Sequence, residues 1–172
     1  MPAQLPTRFE TREPTARPAT QRNNAFAQAR QIERNGATDQ ALQRYQDLLK
    51  SGAQFAELYH RLAVCNDKLG RMEHSLPYYQ KALAMQPNNI DLLCDYGFRL
   101  HLVKQTAEAE RVFVQSLQYA PRHSRTHNNL AMLLAQSNRV DQAMHHFQMA
   151  GLNAQQARHN ATKAMQAANI QP

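Results

Sequence analysis

Tryptophan is absent from this chain of 172 residues, glycine occurs five times and cysteine twice. So little glycine argues against a Gly-rich nucleotide loop and against a turn-dense β fold. The two cysteines, Cys65 and Cys94, form no CxxC pair and fall inside helical patterns. That speaks against a disulfide framework and a zinc site, and each reads as a small hydrophobe. Long apolar runs are missing as well. The longest, LAMLLA at residues 130–135, is far too short to span a bilayer. The opening stretch MPAQLPTRFETREPTARPAT lacks the apolar core of a secretory signal and holds no cysteine that could carry a lipid. The expected location is therefore the cytoplasm, or the periplasm if the chain is a trimmed form.

What is present is helix-forming. Ala, Gln, Leu, Arg and Met dominate, and hydrophobic residues make up 42%, enough for one domain with a continuous core. The net charge is +7, but acids interleave with bases, as in KQTAEAER, rather than leaving a basic stripe. A phosphate-binding face would cluster its cations, so no nucleic-acid partner is expected. Residues 1–21 carry Pro2, Pro6, Pro14 and Pro18 with little apolar content, which predicts a disordered tail.

From residue 22 the chain repeats itself. Residues 22–55, 56–89, 90–123 and 124–157 align without gaps at a period of 34. At the eighth column stand Ala29, Ala63, Gly97 and Ala131, and at the twentieth Ala41, Ser75, Ala109 and Ala143. Small side chains there let two helices approach and cross. At the twenty-fourth stand Tyr45, Tyr79, Phe113 and Phe147, rings large enough to fill the space between one helix pair and the next. At the fifteenth come Gly36, Gly70, Lys104 and Asn138, where the first helix of each pair must stop. Gly and Asn suit the left-handed conformation of such a stop, and Lys104 does not, so the third repeat is expected to turn differently. Pro87 and Pro121 close the second and third repeats. Pro77 is expected in the first turn of its helix, where a missing N–H costs little.

These columns resemble the tetratricopeptide repeat family over residues 22–157. The first repeat matches least, with Ala25, Gln28, Leu48 and Ala53 departing from the family's usual residues. The resemblance implies an all-α, right-handed superhelical solenoid of four helix-turn-helix repeats. Residues 158–172 are expected to form a C-terminal capping helix, with Ala157, Ala161, Ala164, Met165 and Ala168 on its inner face.

The stretch RTHNNLAMLLAQSNRVDQAMHHF, with His127, His145 and His146, could be taken for a metal or catalytic site. His127 occupies a column that faces its own helix pair, and adjacent histidines on a helix point apart. No metal, cofactor or catalytic group is expected, and the chain reads as a non-enzymatic adaptor. The family resemblance implies that the concave face of the first helices holds a partner peptide or helix. It assigns Asn23, Phe26 and Arg30 from the first repeat and His60, Arg61 and Val64 from the second. Cys94, Asp95, Phe98 and His101 come from the third, and Arg125, Asn128, Asn129 and Met132 from the fourth. Chaperone-binding members share a two-carboxylate clamp of Lys and Asn, then Asn, then Lys and Arg. Here those places hold Phe26 and Arg30, Arg61, then Asp91 and Asp95, and an Asp would repel a terminal carboxylate. The third and fourth repeats also resemble those of Tad-type pilus assembly and secretion proteins. The alternatives to an adaptor are a basic nucleic-acid-associated repeat protein and a self-associating structural solenoid.

Overall fold

The structure is a computed structural model that describes residues 18–169, all of them helix, turn or short connection. Nine helices occur among these residues. They are α1 (Pro18–Arg34), α2 (Thr38–Lys50), α3 (Ala56–Lys68), α4 (Met72–Met85), α5 (Ile90–Leu102), α6 (Thr106–Tyr119), α7 (Ser124–Gln136), α8 (Val140–Met149) and α9 (Ala154–Asn169). The first eight pair consecutively as hairpins, each hairpin packs on the next, and α9 lies against α7 and α8. The odd-numbered helices α3, α5 and α7 also touch one another and form one continuous inner face.

The columns read from the sequence account for this stacking. Ala29, Ala63, Ala131, Ala41, Ser75, Ala109 and Ala143 are wholly buried at the helix crossings. So are the rings of Tyr45, Phe113 and Phe147, with Tyr79 only 1% exposed. Truncating such a ring removes about 3–5 kcal/mol of packing. At Gly97 a side chain has no room: an added Cβ would lie 2.6 Å from Cε1 and 2.8 Å from Cδ1 of Phe113.

The third repeat does not turn differently. Gly36, Gly70, Lys104 and Asn138 all have positive φ, at 85°, 70°, 64° and 59°. Each turn closes with the same backbone bond: Ala37 N to Ile32 O at 3.2 Å, then Arg71 to Asn66, Gln105 to Leu100 and Arg139 to Leu134, each at 2.9 Å. The paired helices dictate the turn, and Lys104 accepts a left-handed conformation that costs an L-residue about 1 kcal/mol.

Three boundaries differ from expectation. Helix α1 begins at Pro18, so residues 18–21 are helical rather than tail, and proline is well suited to a first helical position. The expected tail over residues 1–17 lies outside the described residues. Helix α4 begins at Met72, which puts Pro77 in its second turn, beyond the free N–H groups, and the Glu73 carbonyl has no N–H at position 77 to accept from. The cap starts at Ala154 rather than at residue 158, because Gly151, with φ 104°, ends α8 early. Asn153 and Gln156 then cap α9 reciprocally: Gln156 N donates to Asn153 Oδ1 at 2.9 Å, and Asn153 N donates to Gln156 Oε1 at 3.0 Å. Ala157, Ala161 and Ala164 of α9 are buried against the fourth hairpin, with Met165 and Ala168 half-buried beside them.

Candidate functional site

The inner face carries a cleft of about 430 Å³. Helix α3 supplies His60, Arg61, Val64, Asp67 and Lys68 to its walls, and α5 supplies Asp91, Asp95 and Phe98. Glu33 of α1, Tyr79 of α4 and Arg125 of α7 complete it. Six residues assigned from the sequence are brought together here: His60, Arg61, Val64, Asp95, Phe98 and Arg125. A second cleft of about 360 Å³ adjoins it and takes in Arg30 with Glu57. Asn23 is exposed on α1, Asn128 is exposed on α7, and His101, Asn129 and Met132 are half-buried outside the main cleft.

The assignment of Cys94 is corrected. Its side chain is wholly buried beneath α7, and Asn129 Nδ2 donates to its Sγ at 3.4 Å. In the second and third repeats the fifth-column residue is covered by the next repeat, whereas in the first it packs within its own. Phe26 packs its ring 5.0 Å from Phe55 and 5.6 Å from Tyr45, and His60 is buried with Nε2 2.8 Å from Asp95 Oδ2. Asn129 spends its amide on Cys94, so it is a strut between repeats before it is a ligand group.

The charged residues of this face hold one another. Lys68 Nζ lies 2.9 Å and Arg61 Nη1 3.7 Å from Glu33 Oε1, while the Tyr45 hydroxyl donates to Glu33 Oε2 at 3.0 Å. Arg30 pairs with Glu57 at 2.9 Å. Arg125 bridges two carboxylates, Asp95 at 2.8 Å and Asp91 at 3.0 Å. Arg99, only 4% exposed, reaches Asp67 Oδ1 at 2.7 Å, a close charge contact without hydrogen-bond alignment. Asp67 Oδ2 accepts from the Tyr79 hydroxyl at 2.8 Å. Five cations, Arg30, Arg61, Lys68, Arg99 and Arg125, thus meet five anions, Glu33, Glu57, Asp67, Asp91 and Asp95.

Titration follows from these contacts. Burial alone would raise the Glu33 carboxyl, but the Lys68 hydrogen bond and the Arg61 charge outweigh it and hold the group below its usual range. Burial, with the Glu33 charge added, pushes the Cys65 thiol up to about 12, so it stays protonated. Burial also raises Cys94, in keeping with two unreactive core thiols.

Glu33, Asp67, Lys68, Asp91, Tyr79 and Arg99 were not assigned from the sequence. A signal for two of them exists between the twelfth and twenty-fourth columns. Where the ring is tyrosine, at Tyr45 and Tyr79, the twelfth residue is an acid, Glu33 or Asp67; where it is phenylalanine, that residue is His101 or Ala135. A buried hydroxyl needs an acceptor, and the paired acid supplies it.

The three histidines lie apart from this face. His127 is buried, with Nε2 3.0 Å from the Pro121 carbonyl and Nδ1 2.9 Å from His146 Nδ1. A carbonyl only accepts, so Nε2 of neutral His127 donates and its Nδ1 accepts from His146. Burial first, then the charges of His127 and His145, lower His146 to about 4. Among the described residues no group of three or more His, Cys, Asp or Glu is placed to hold a metal ion.

Stacked α-hairpins in phase around a side-chain-lined hollow define a helical-repeat scaffold. Tetratricopeptide repeat models match residues 56–89 and residues 100–166, and together they take in all but the first hairpin and part of the third. The chain belongs to the tetratricopeptide repeat family, and its fold is that of a protein–protein interaction scaffold. Among solved structures it is similar to YrrB, a tetratricopeptide repeat protein with an unusual peptide-binding site. The TM-score is 0.72 at 18% identity, over 87% of this chain and 76% of that one. MamA superimposes with a TM-score of 0.73 at 12% identity, over 88% of this chain and 87% of that one. Pseudomonas aeruginosa pilF gives 0.70 at 23% identity, over 87% and 68%. At these identities the likeness is one of fold. A curated relative, the protein O-mannosyl-transferase Tmtc3 of Drosophila melanogaster, is 28% identical over 110 aligned positions. The chain spans only 12% of that relative's length. Among the described residues no helix is long and apolar enough to cross a membrane.

Proposed function

We propose that the chain is a non-enzymatic adaptor that holds a segment of a partner protein in its concave face, within the assembly of a secretion or pilus-type complex in the cytoplasm. The observation that carries the reading is the 430 Å³ cleft, to which all four repeats contribute and in which Phe98 stays 44% exposed. Large apolar side chains left open in a concave site favour a ligand that covers them. Asn23, Arg30, His60, Arg61, Val64, Asp95, Phe98, His101, Arg125, Asn128, Asn129 and Met132 are the residues we place around it, with Phe26 supporting the rim. The transferase activity in the name of the Drosophila relative is not carried over, since the match takes in 12% of that protein.

The test is affinity capture from the source cell with the intact protein and with Phe98→Ala plus Met132→Ala. Partners lost in the double variant, at an unchanged circular dichroism spectrum, support the reading. Full retention of every partner overturns it. For the setting, disruption of the gene should abolish filament display or export, and normal display and export would refute that part alone.

A further inference from the structure

We propose that the open end of the first hairpin is a self-association surface, on which a second copy of this chain packs about a two-fold axis with α1 against α1 and α2 against α2. The contact lies outside the inner cleft, so it stands or falls apart from the adaptor reading.

This end is uncovered where the rest of the solenoid is paired. In the second, third and fourth repeats, the side of each hairpin turned toward the preceding one is covered by that hairpin's second helix. Tyr96 lies 5.9 Å from Tyr79 of the repeat before it, and the seventh and eleventh columns, Leu62, Tyr96, Leu130, Asn66, Leu100 and Leu134, are all buried. Among the described residues nothing covers that side of the first hairpin. There Gln28 is exposed and Ile32 half-buried, and the fourth column carries Ala25 in place of Tyr59, Leu93 and His127. The result is a groove of about 620 Å³ between α1 and α2, with Ala25, Ile32 and Leu48 as its apolar lining. Three of the four first-repeat residues that depart from the family's usual ones, Ala25, Gln28 and Leu48, fall in this one groove.

The opposite end is closed. Helix α9 covers the fourth hairpin and turns Gln155, His159 and Lys163 to solvent. Stacking head to tail therefore lacks a matching apolar surface, which leaves a contact between like ends.

The polar groups of the groove suit such a contact. Among the described residues Arg44 has no counter-ion, and Asp47 accepts from the neutral amide of Gln43 at 2.9 Å rather than from a cation. Tyr45 sits level with the middle of α1, because its ring is 5.6 Å from that of Phe26 and its hydroxyl reaches Glu33 at 3.0 Å. Gln28 and Gln31 are centred on that level, and so are Arg44 and Asp47. A two-fold axis crossing both helices there lays α1 antiparallel on the α1 of the second copy, and α2 on its α2. Arg44 of each copy then meets Asp47 of the other, and neither charge is left without an opposite one. Gln31 donates to Asn35 at 3.1 Å, which leaves its amide oxygen to accept from Gln28 of the second copy.

The test is sedimentation equilibrium of the full chain from about 1 μM to 1 mM, a range that takes in weak specific contacts. The mass should rise from one chain to two and no further. Arg44→Asp sets two carboxylates against each other at both ends of the contact. It should weaken association at least about ten-fold at an unchanged circular dichroism spectrum. Arg44→Asp plus Asp47→Arg restores opposite charges only where each residue meets the other across a two-fold axis. The double exchange should bring association back to within about three-fold of the unmodified chain. A mass of one chain at every concentration, growth beyond two, indifference to Arg44→Asp, or no recovery in the double exchange overturns the proposal. A dimer that forms only once residues 1–17 are removed makes that segment the occupant. A protein captured by an unmodified monomer but not by Arg44→Asp makes the end a site for a different partner. Either result also overturns the proposal.

Discussion

Replacing Gly97 by alanine sets two opposed effects against each other. In the interior of α5, helix propensity alone favours alanine by about 1 kcal/mol. The added Cβ, however, would fall 2.6 Å from Cε1 and 2.8 Å from Cδ1 of Phe113. Carbon atoms rest at about 3.5–4.0 Å, so the ring or the helix must withdraw by about 1 Å. Phe113 is wholly buried, and overpacking of that kind costs about 1–3 kcal/mol. Gly97→Ala should therefore lose up to about 2 kcal/mol net, and Gly97→Leu about 3 kcal/mol or more. Urea unfolding followed by circular dichroism measures this. The control is the same change in a Phe113→Leu background, where the clash is gone and alanine should be neutral or favourable, a coupling of about 1–3 kcal/mol. A rise in the unfolding midpoint for Gly97→Ala in the unmodified chain would refute the close approach of α5 and α6.

Three further outcomes are expected. Lys104→Gly should relieve the left-handed strain at that turn and raise stability by about 0.5–1 kcal/mol, read as a higher melting temperature. Pro77→Ala should restore an N–H for the Glu73 carbonyl and stabilise α4 by about 1–3 kcal/mol; a destabilised variant would show that the proline is required. For His146, the ordinary value of 6.5 falls to about 4 in the fold, so between these pH values the unfolded chain binds more protons. Its contribution is complete above pH 6.5 and is lost as pH falls toward 4, by up to about 3 kcal/mol. His146→Gln should flatten that part of the stability profile, and an unchanged slope would show that another group causes it.

The period and the small and aromatic columns were legible because each is a steric demand repeated at a fixed spacing. The start of α9 was legible too, in Asn153 and Gln156, a local capping pair that the 34-residue frame obscured. Lys104 misled because its own preference is weaker than the geometry its two helices impose. Cys94 misled because its burial depends on α7, whose coverage of the fifth column is not a property of the third repeat alone. The ion pairs were invisible for a related reason. Lys68 meets Glu33 and Arg125 meets Asp91 across about one whole repeat, and nothing in either local stretch announces its partner.

Those cross-repeat contacts make the order of the units a property of the molecule. Excising residues 56–89 would keep the rhythm of small residues and rings intact. It would also bring Asp95 to the place of Arg61, and Leu102 to the place of Lys68, beside Glu33. A carboxylate would then confront another carboxylate and a leucine. The hairpins are alike in outline yet keyed to their neighbours, so this chain cannot be shortened or shuffled as if its units were interchangeable beads.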